Sequence, residues 1–464
     1  MTVLRGETTE TSEPKAEEIA EPADRRRSIA TQLWVVVPIL FFSFLVVGLH
    51  LNAYPTFSPI DERQHVDYLY RITRGELLRM GEQIGQETLR DEACRGLDWD
   101  QFTPPPCHPN RPYNPDVFPN LGYNSAHIHP PTYYFLTSVV AKSFRATGIA
   151  RNFVSSARLS GGLWLGLALI LFWYAARELQ ISTVNRVIAM ALLATTPTVI
   201  YSSSTVNPDS MALLPGAALL LTTLVWERKR GRTILLLPMM AAVAVALKVT
   251  NILAVGASAI YLLVRWWHRR RAEGIKPAGQ KGYVAAASYL AGAGIATTIV
   301  WLLLHTLLVR VPFDPAIELY KVDSLSLNAI LSQAMAMVTP VKDAWLSPFF
   351  RTQAVNLILQ LVNLSLVAAV FGAVFYGRPR SPRMAVAIAG GLVILVAGMA
   401  LTVFNYFFNS RTYAGIPARY GISVLPFLFV ALASALRRPG VTWAAGLLAA
   451  ASVATVGTAM ITAI

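Results

Sequence analysis

The sequence predicts an all-α polytopic membrane protein, and three observations carry that prediction. Of 464 residues, 54% are hydrophobic and only 14% are charged, whereas soluble domains carry about 25% charged residues. Apolar runs recur from Trp34 to Ile464, most of them long enough to approach the roughly 20 residues that a bilayer-spanning helix needs. The basic residues gather in alternate loops, as expected of a chain threaded by the positive-inside rule. In a soluble protein the net charge of +14 would raise nucleic acid as a partner; here it reads as orientation in a bilayer, with no nucleic acid.

Residues 1–32 read as a disordered cytoplasmic tail. Up to Asp24 they are rich in Glu, Thr, Pro and Ala and poor in large apolar side chains. Arg25, Arg26 and Arg27 then hold this end inside. The run Trp34 to Leu51 lacks a small-residue cleavage site and reads as an uncleaved first span. Residues 33–464 form the transmembrane domain.

Residues 52–158 form a large first extracytoplasmic loop. Tyr133 to Ala141 is apolar for only about nine residues before Lys142 and Arg145 interrupt it, too few to span. It reads as a surface helix. Ten further spans follow: Leu159–Ala176, Val187–Val206, Met211–Trp226, Thr233–Leu247, Ile252–Val264, Val284–Leu308, Ala354–Tyr376, Ala385–Phe404, Gly421–Leu436 and Val441–Ile464. The count is about eleven, with a second large outer loop at 309–353. This threading puts Arg177, Arg230, Arg270, Arg380 and Arg437 inside with their neighbours. Letting Tyr133–Ala141 cross would turn the next four basic loops outward.

The polar motifs then fall on one face. SPIDERQH places Asp61 and His65, and also Glu62 and His65, one helical turn apart. A carboxylate there can act as general base, and a carboxylate with a histidine can hold a divalent metal; a solvated helix start capped by Asp61 is the alternative. HIHPPTYY supplies His127, His129 and Tyr133 as ligands or substrate contacts, with two prolines opening a helix. Asn207-Pro208-Asp209 is a short turn or a polar contact beneath the first loop. Lys248 sits between two runs of about 15 and 13 residues, so the KVTN tip stops short of the outer surface. A lysine recessed in this way faces a cavity or an anionic group, unless it snorkels. Arg411, Arg419 and Tyr420 lie in NSRTYAGIPARYG, where arginine can clamp phosphate or anchor at the interface. Asp314 and Asp323 fall on the same face. Cys94 and Cys107 lie in the outer loop, an oxidising setting, and are expected to form a disulfide; no metal-type CxxC spacing exists.

In this order the motifs resemble a known family. An uncleaved first span leads to an outer loop that opens with Asp61-Glu62 and closes with HPPTYY. The ARLS stretch, Ala157 to Ser160, then begins the second span, and NPD and ARYGISVLP follow. The arrangement resembles the polyprenyl-phosphate-dependent glycosyltransferases of the GT-C fold, among them protein O-mannosyltransferases and aminoarabinose transferases. It is also similar to related bacterial membrane proteins of uncharacterised function. The resemblance implies a sugar donor on a polyprenyl phosphate and transfer on the outer side of the plasma membrane. It implies that Asp61 is the catalytic base, with Glu62 and His65 supporting it or holding a metal.

The expected reaction is an inverting transfer of a hexosyl or pentosyl group to an envelope glycan, lipid or protein. Asp61 and Glu62 are the catalytic candidates. His65, His129, Tyr133, Asn207, Asp209, Lys248, Arg411, Arg419 and Tyr420 are the substrate contacts. No cofactor is assigned, and a divalent metal on Glu62, His65 and His129 stays open. A transporter or flippase would place its polar residues near the midplane, often in repeated halves, and no repeat is visible. A non-catalytic envelope assembly protein is the other alternative.

Overall fold

The computed structural model describes residues 22–464 apart from 109, 230–232, 274–276, 312–319, 339–346, 409–410 and 414. The expected tail up to residue 21, Asp314 and the basic residues Arg230, Arg232 and Lys276 lie outside the described residues. The described chain is all-helical, with isolated bridges but no strands. Helix α1 (Pro22–Ala53) starts before the apolar run and leads into the first loop. That loop carries α2 (Glu62–Thr73), α3 (Gln86–Arg95) and α4 (Thr132–Ala146). The bundle continues through α5 (Phe153–Glu178), α6 (Thr183–Ala194), α7 (Pro197–Ser204), α8 (Leu213–Arg228), α9 (Leu236–Leu247), α10 (Ile252–Glu273) and α11 (Pro277–Leu307). It closes with α12 (Leu327–Val338), α13 (Gln353–Phe375), α14 (Pro382–Phe408), α15 (Leu425–Ala435) and α16 (Pro439–Ile461).

Among the described residues nine helices are long and apolar enough to cross a membrane, or ten if the α6–α7 pair is one span. The expected eleven are matched in order, but two of them differ in kind. Val187–Val206 is broken: α6 and α7 meet at 62°. Thr196 is extended at ψ 119° before Pro197, because the proline ring disfavours helical geometry in the preceding residue and removes a backbone donor. Thr233–Leu247 yields only the 12-residue α9, about 18 Å at 1.5 Å per residue, too short to cross alone. In the other direction, Ile252–Val264 was too short an expectation. Helix α10 runs on to Glu273, where the guanidiniums of Arg270 and Arg271 lie over Trp266 and Trp267 at 5.5 and 4.4 Å. Cation–π contact thus keeps an arginine-rich stretch helical.

Burial orders the spans. The windows at Pro208–Arg228 and Ala418–Ala435 are 78% and 83% buried, against 17% for Gly282–Leu307 and 28% for Pro439–Ile461. The first two are the centre of the bundle, and they begin beside Asp209 and Arg419. Their approach depends on Gly216: a Cβ built there would overlap the backbone carbonyl oxygen of Ser423. Around them a continuous apolar core joins α5, α8, α10, α14 and α15 through residues such as Phe172, Leu220, Tyr261, Val386 and Phe429. Helix α4 packs Tyr133, Tyr134 and Ala141 inward and leaves Phe135 and Val139 exposed, the one-sided pattern of a helix lying at a surface.

Gly216→Ala should force α8 away from the 418–424 turn, which has no side chain to move aside. Overpacking of this kind costs about 1–3 kcal/mol. A lowered thermal midpoint in detergent is the expected result.

Candidate active site

The first loop is anchored by an ion pair. Glu62 and Arg158, respectively 0% and 1% exposed, make two contacts of 2.7 Å through Nε–Oε1 and Nη2–Oε2. The remaining acceptor positions of Glu62 take the backbone N–H groups of Ser58 and Val206, both at 2.9 Å. Arg158 also donates to the carbonyls of Tyr54 and Thr56 at 2.7 and 2.6 Å. A bidentate arginine–carboxylate pair with its remaining lone pairs and protons satisfied is the arrangement in which burial is tolerated. It fastens the end of α1, the start of α2, α5 and the 205–207 turn to one another.

This corrects the expectation for Glu62. Its carboxylate is saturated by donors and does not line the cavity, so it can neither take a proton from a substrate nor serve as a metal ligand. Arg158, inside the ARLS stretch, is the residue that sequence reasoning passed over. The signal was an arginine inside an otherwise apolar span, which needs a partner.

The neighbouring residue faces the other way. Asp61 adopts the left-handed conformation, φ 58°, and its side chain makes no cap hydrogen bond to α2. A non-glycine residue held there is uncommon and strained. Its carboxylate stays 49% exposed and lies 3.6 Å from Arg419 Nη2. Asp61 opens into a cavity of about 230 Å³. His65, His129, Asn207, Asp209, Lys248 and Arg419 line the same cavity.

The cavity floor is a charge cluster. Asp209 pairs with Lys248 Nζ on one side, and on the other its Oδ2 lies 3.3 Å from Arg419 Nε. Lys248 is 2% exposed and follows directly on the 12-residue α9 as its C-cap. Its ammonium lies 4.5 Å from the ring centre of Tyr420, a cation–π contact. The expected turn at Asn207-Pro208-Asp209 becomes an extended Asn207 followed by a 3-10 turn, Pro208–Met211, placing Asp209 where helix dipoles favour a carboxylate.

The histidines form the side wall. His65 Nδ1 is 2.8 Å from the Tyr134 hydroxyl, and the His65 and His129 rings are 5.2 Å apart. Burial pushes both imidazoles well below their ordinary range. The charges of Lys248 and Arg419 add to that shift at His65; at His129, His65 adds first and then Lys248. Both rings are therefore neutral near pH 7. His127 lies outside the cavity, stacked on His305 at 5.1 Å with Nδ1 and Nε2 2.8 Å apart. Among the described residues no group of three or more His, Cys, Asp or Glu is placed to hold a metal ion.

Two further expectations are corrected. Tyr133 is 1% exposed and its hydroxyl accepts from Ser210 Oγ at 3.3 Å; it supports the 208–211 turn from behind and does not line the cavity. Arg411 is exposed outside the cavity, at φ 58°, and its carbonyl accepts from the Val322 N–H at 3.0 Å. The cavity takes Thr412 instead, together with Tyr201, Tyr320 and Asn405, none of which the sequence singled out. Tyr320 comes from the long loop between α11 and α12, stitched to the rim by the Tyr413 N–H donating to its carbonyl at 2.8 Å. In the first loop, Cys94 and Cys107 are joined as a disulfide.

Fold and site together are those of an all-helical polytopic membrane protein, with a polar cavity at one end of the helices. Residues 128–301 match the family model described as dolichyl-phosphate-mannose-protein mannosyltransferase. The match supports a GT-C-fold membrane glycosyltransferase that uses polyprenyl-phosphate sugars. No curated protein matches the chain. The matched stretch contains His129, Asn207, Asp209 and Lys248; Asp61 and Arg419 lie outside it.

Two predictions follow from this geometry. Glu62→Gln leaves the Arg158 charge buried without its counter-ion, a change worth about 3–5 kcal/mol. Chemical denaturation in detergent should show that loss, and the Glu62→Gln/Arg158→Met double variant should recover part of it. The second concerns pH. His65 and His129 bind protons more readily unfolded than folded, so their contribution to stability is whole above about pH 6.5 and falls as pH drops towards their folded values. The loss is up to about 1.4 kcal/mol per pH unit per histidine. His65→Gln should flatten the decline of the thermal midpoint between pH 6.5 and 5.

Proposed function

We propose that this protein transfers a sugar from a polyprenyl-phosphate donor to a hydroxyl group of an extracytoplasmic acceptor, with inversion, using Asp61 as general base. The observation that carries the reading is Asp61 itself. It is a half-exposed carboxylate in a strained backbone conformation, next to two cations that a second carboxylate, Asp209, already holds in place. A base needs solvent or substrate access, and a phosphate leaving group needs fixed positive charge. The cavity offers both within one ring of side chains.

In this mechanism the acceptor oxygen attacks the anomeric carbon as Asp61 takes its proton. The bond from that carbon to the phosphate oxygen breaks, and the electron pair leaves with the polyprenyl phosphate. Lys248 and Arg419 stabilise the charge that develops there, so no acid need protonate the leaving oxygen. Neutral His65 and His129 offer hydrogen bonds to sugar hydroxyls. Asn207 and Tyr420 close the pocket around them. Glu62 acts through position alone, by fixing the backbone from which Asp61 projects. The amino-terminal end lies in the cytoplasm in this reading and the cavity opens to the outer side of the plasma membrane.

Asp61→Asn preserves shape and removes the base. Turnover with a polyprenyl-phosphate sugar should fall by about 10²–10⁴-fold, read as released lipid phosphate, while donor binding survives. Near-normal turnover in the folded variant would assign the base elsewhere.

A further inference from the structure

At the end of the helices opposite the cavity lies a groove that the transfer reaction does not use. Asn405 and Arg419, which line the cavity, stand at the far end of α14 and just before α15. Arg383 begins α14 and Arg437 follows α15, so these two arginines mark the other end. The groove, of about 920 Å³, runs between α6 and α16 and is lined by Ile188, Trp443, Gly446 and Leu447, with Arg383 and Arg437 at its mouth. The same two arginines border an adjoining hollow of about 530 Å³ with Arg378 and Ser381.

The mouth has an excess of positive charge. Arg383 donates through Nε and Nη2 to the carbonyls of Leu179 and Gln180, at 2.9 and 2.7 Å. Arg437 donates through Nε to the Ser434 carbonyl at 3.3 Å. These bonds aim the guanidiniums without neutralising them. Among the described residues neither has a carboxylate partner, and Arg383 Nη1 and both Nη atoms of Arg437 keep free donor capacity. The nearest acid in the hollow, Glu178, is engaged by Arg228 at 3.0 Å. Below the mouth the wall is apolar and open to the outside of the bundle: Trp443 is 75% exposed and Leu447 68%. An indole at the charged end of an apolar groove is the pattern of a membrane-interface anchor.

We propose that this groove binds an anionic phospholipid, its phosphate held by Arg383 and Arg437 and one acyl chain laid along Ile188, Trp443 and Leu447. Charge complementarity selects the headgroup: two aimed, unpaired guanidiniums suit a phosphodiester with no balancing ammonium. A lipid also satisfies the apolar wall, which a soluble anion would leave bare. Gly446 leaves the channel open, since a Cβ built there would meet only Ile188 Cδ1, at 3.7 Å. The site is independent of the transfer reaction.

The test uses the full chain in nanodiscs of phosphatidylcholine doped with phosphatidylglycerol carrying brominated acyl chains. Tryptophan quenching is read against brominated phosphatidylcholine, with Trp443→Phe defining the component from the groove. That component should be quenched at a mole fraction of phosphatidylglycerol about tenfold lower than of phosphatidylcholine, given the attraction of each basic residue for anionic lipid. Arg437→Gln, which gives up a single carbonyl contact, and Gly446→Phe, which fills the channel and leaves both arginines, should each abolish the selectivity while the thermal midpoint holds. Equal quenching by both lipids in the unmodified protein overturns the proposal, as does selectivity that persists in the folded variants. Reversal by millimolar inorganic phosphate would assign the arginines to a soluble anion and overturn it equally.

Discussion

The buried pair between Glu62 and Arg158 ties the first loop to the end of the bundle that carries the cavity. Loop one is long and could settle in many ways over the helix ends. Four donors on one carboxylate and two carbonyls on one guanidinium remove that freedom. Beside the locked Glu62, Asp61 takes the left-handed backbone conformation and lines the cavity. The strain there is held by the pair beside it. A buried ion pair adds little net stability compared with apolar packing; here its value is positional.

The cavity floor solves a different problem. Two cations confined in a low-dielectric site repel each other and resist desolvation. Asp209, bonded to both Lys248 and Arg419, offsets that cost before any substrate arrives. The two most buried spans deliver Asp209 and Arg419, and the close approach at Gly216 keeps those spans together. The charges are therefore fixed by the core of the bundle, while loop one contributes Asp61 and the histidine wall.

Much of this was legible from the chain alone. Hydropathy and the Lys/Arg bias gave the class, the order of the spans and the surface helix at α4. Run length drew attention to Lys248, which the fold buries at the end of the short α9. Asp61, Asp209 and Arg419 were legible as polar residues at span ends. What was not legible depends on direction. Asp61 and Glu62 are adjacent and chemically alike, and only the partner Arg158, 96 residues from Glu62 in the chain, decides which one is buried. Tyr133 and Arg411 lie in the right segments but face away from the cavity. Tyr201 reaches the cavity because Pro197 bends its helix, and hydropathy does not report a bend in an apolar run.

The shortness of α9 has a consequence for what can approach. Its 12 residues rise about 18 Å, against 16 residues in α8 and 22 in α10, and the ammonium of Lys248 at its end is buried. In the proposed reaction an anion drawn to it leaves the hydrated headgroup layer and sinks towards the hydrocarbon. Water-borne sugar nucleotides, compact and multiply charged, resist that descent. A single phosphate on a long flexible isoprenoid is already half immersed, and its tail can stay among lipid chains while the head is lowered. In the proposed reaction the burial of this one lysine would act as a solubility filter, favouring carriers from the membrane plane over those that arrive dissolved.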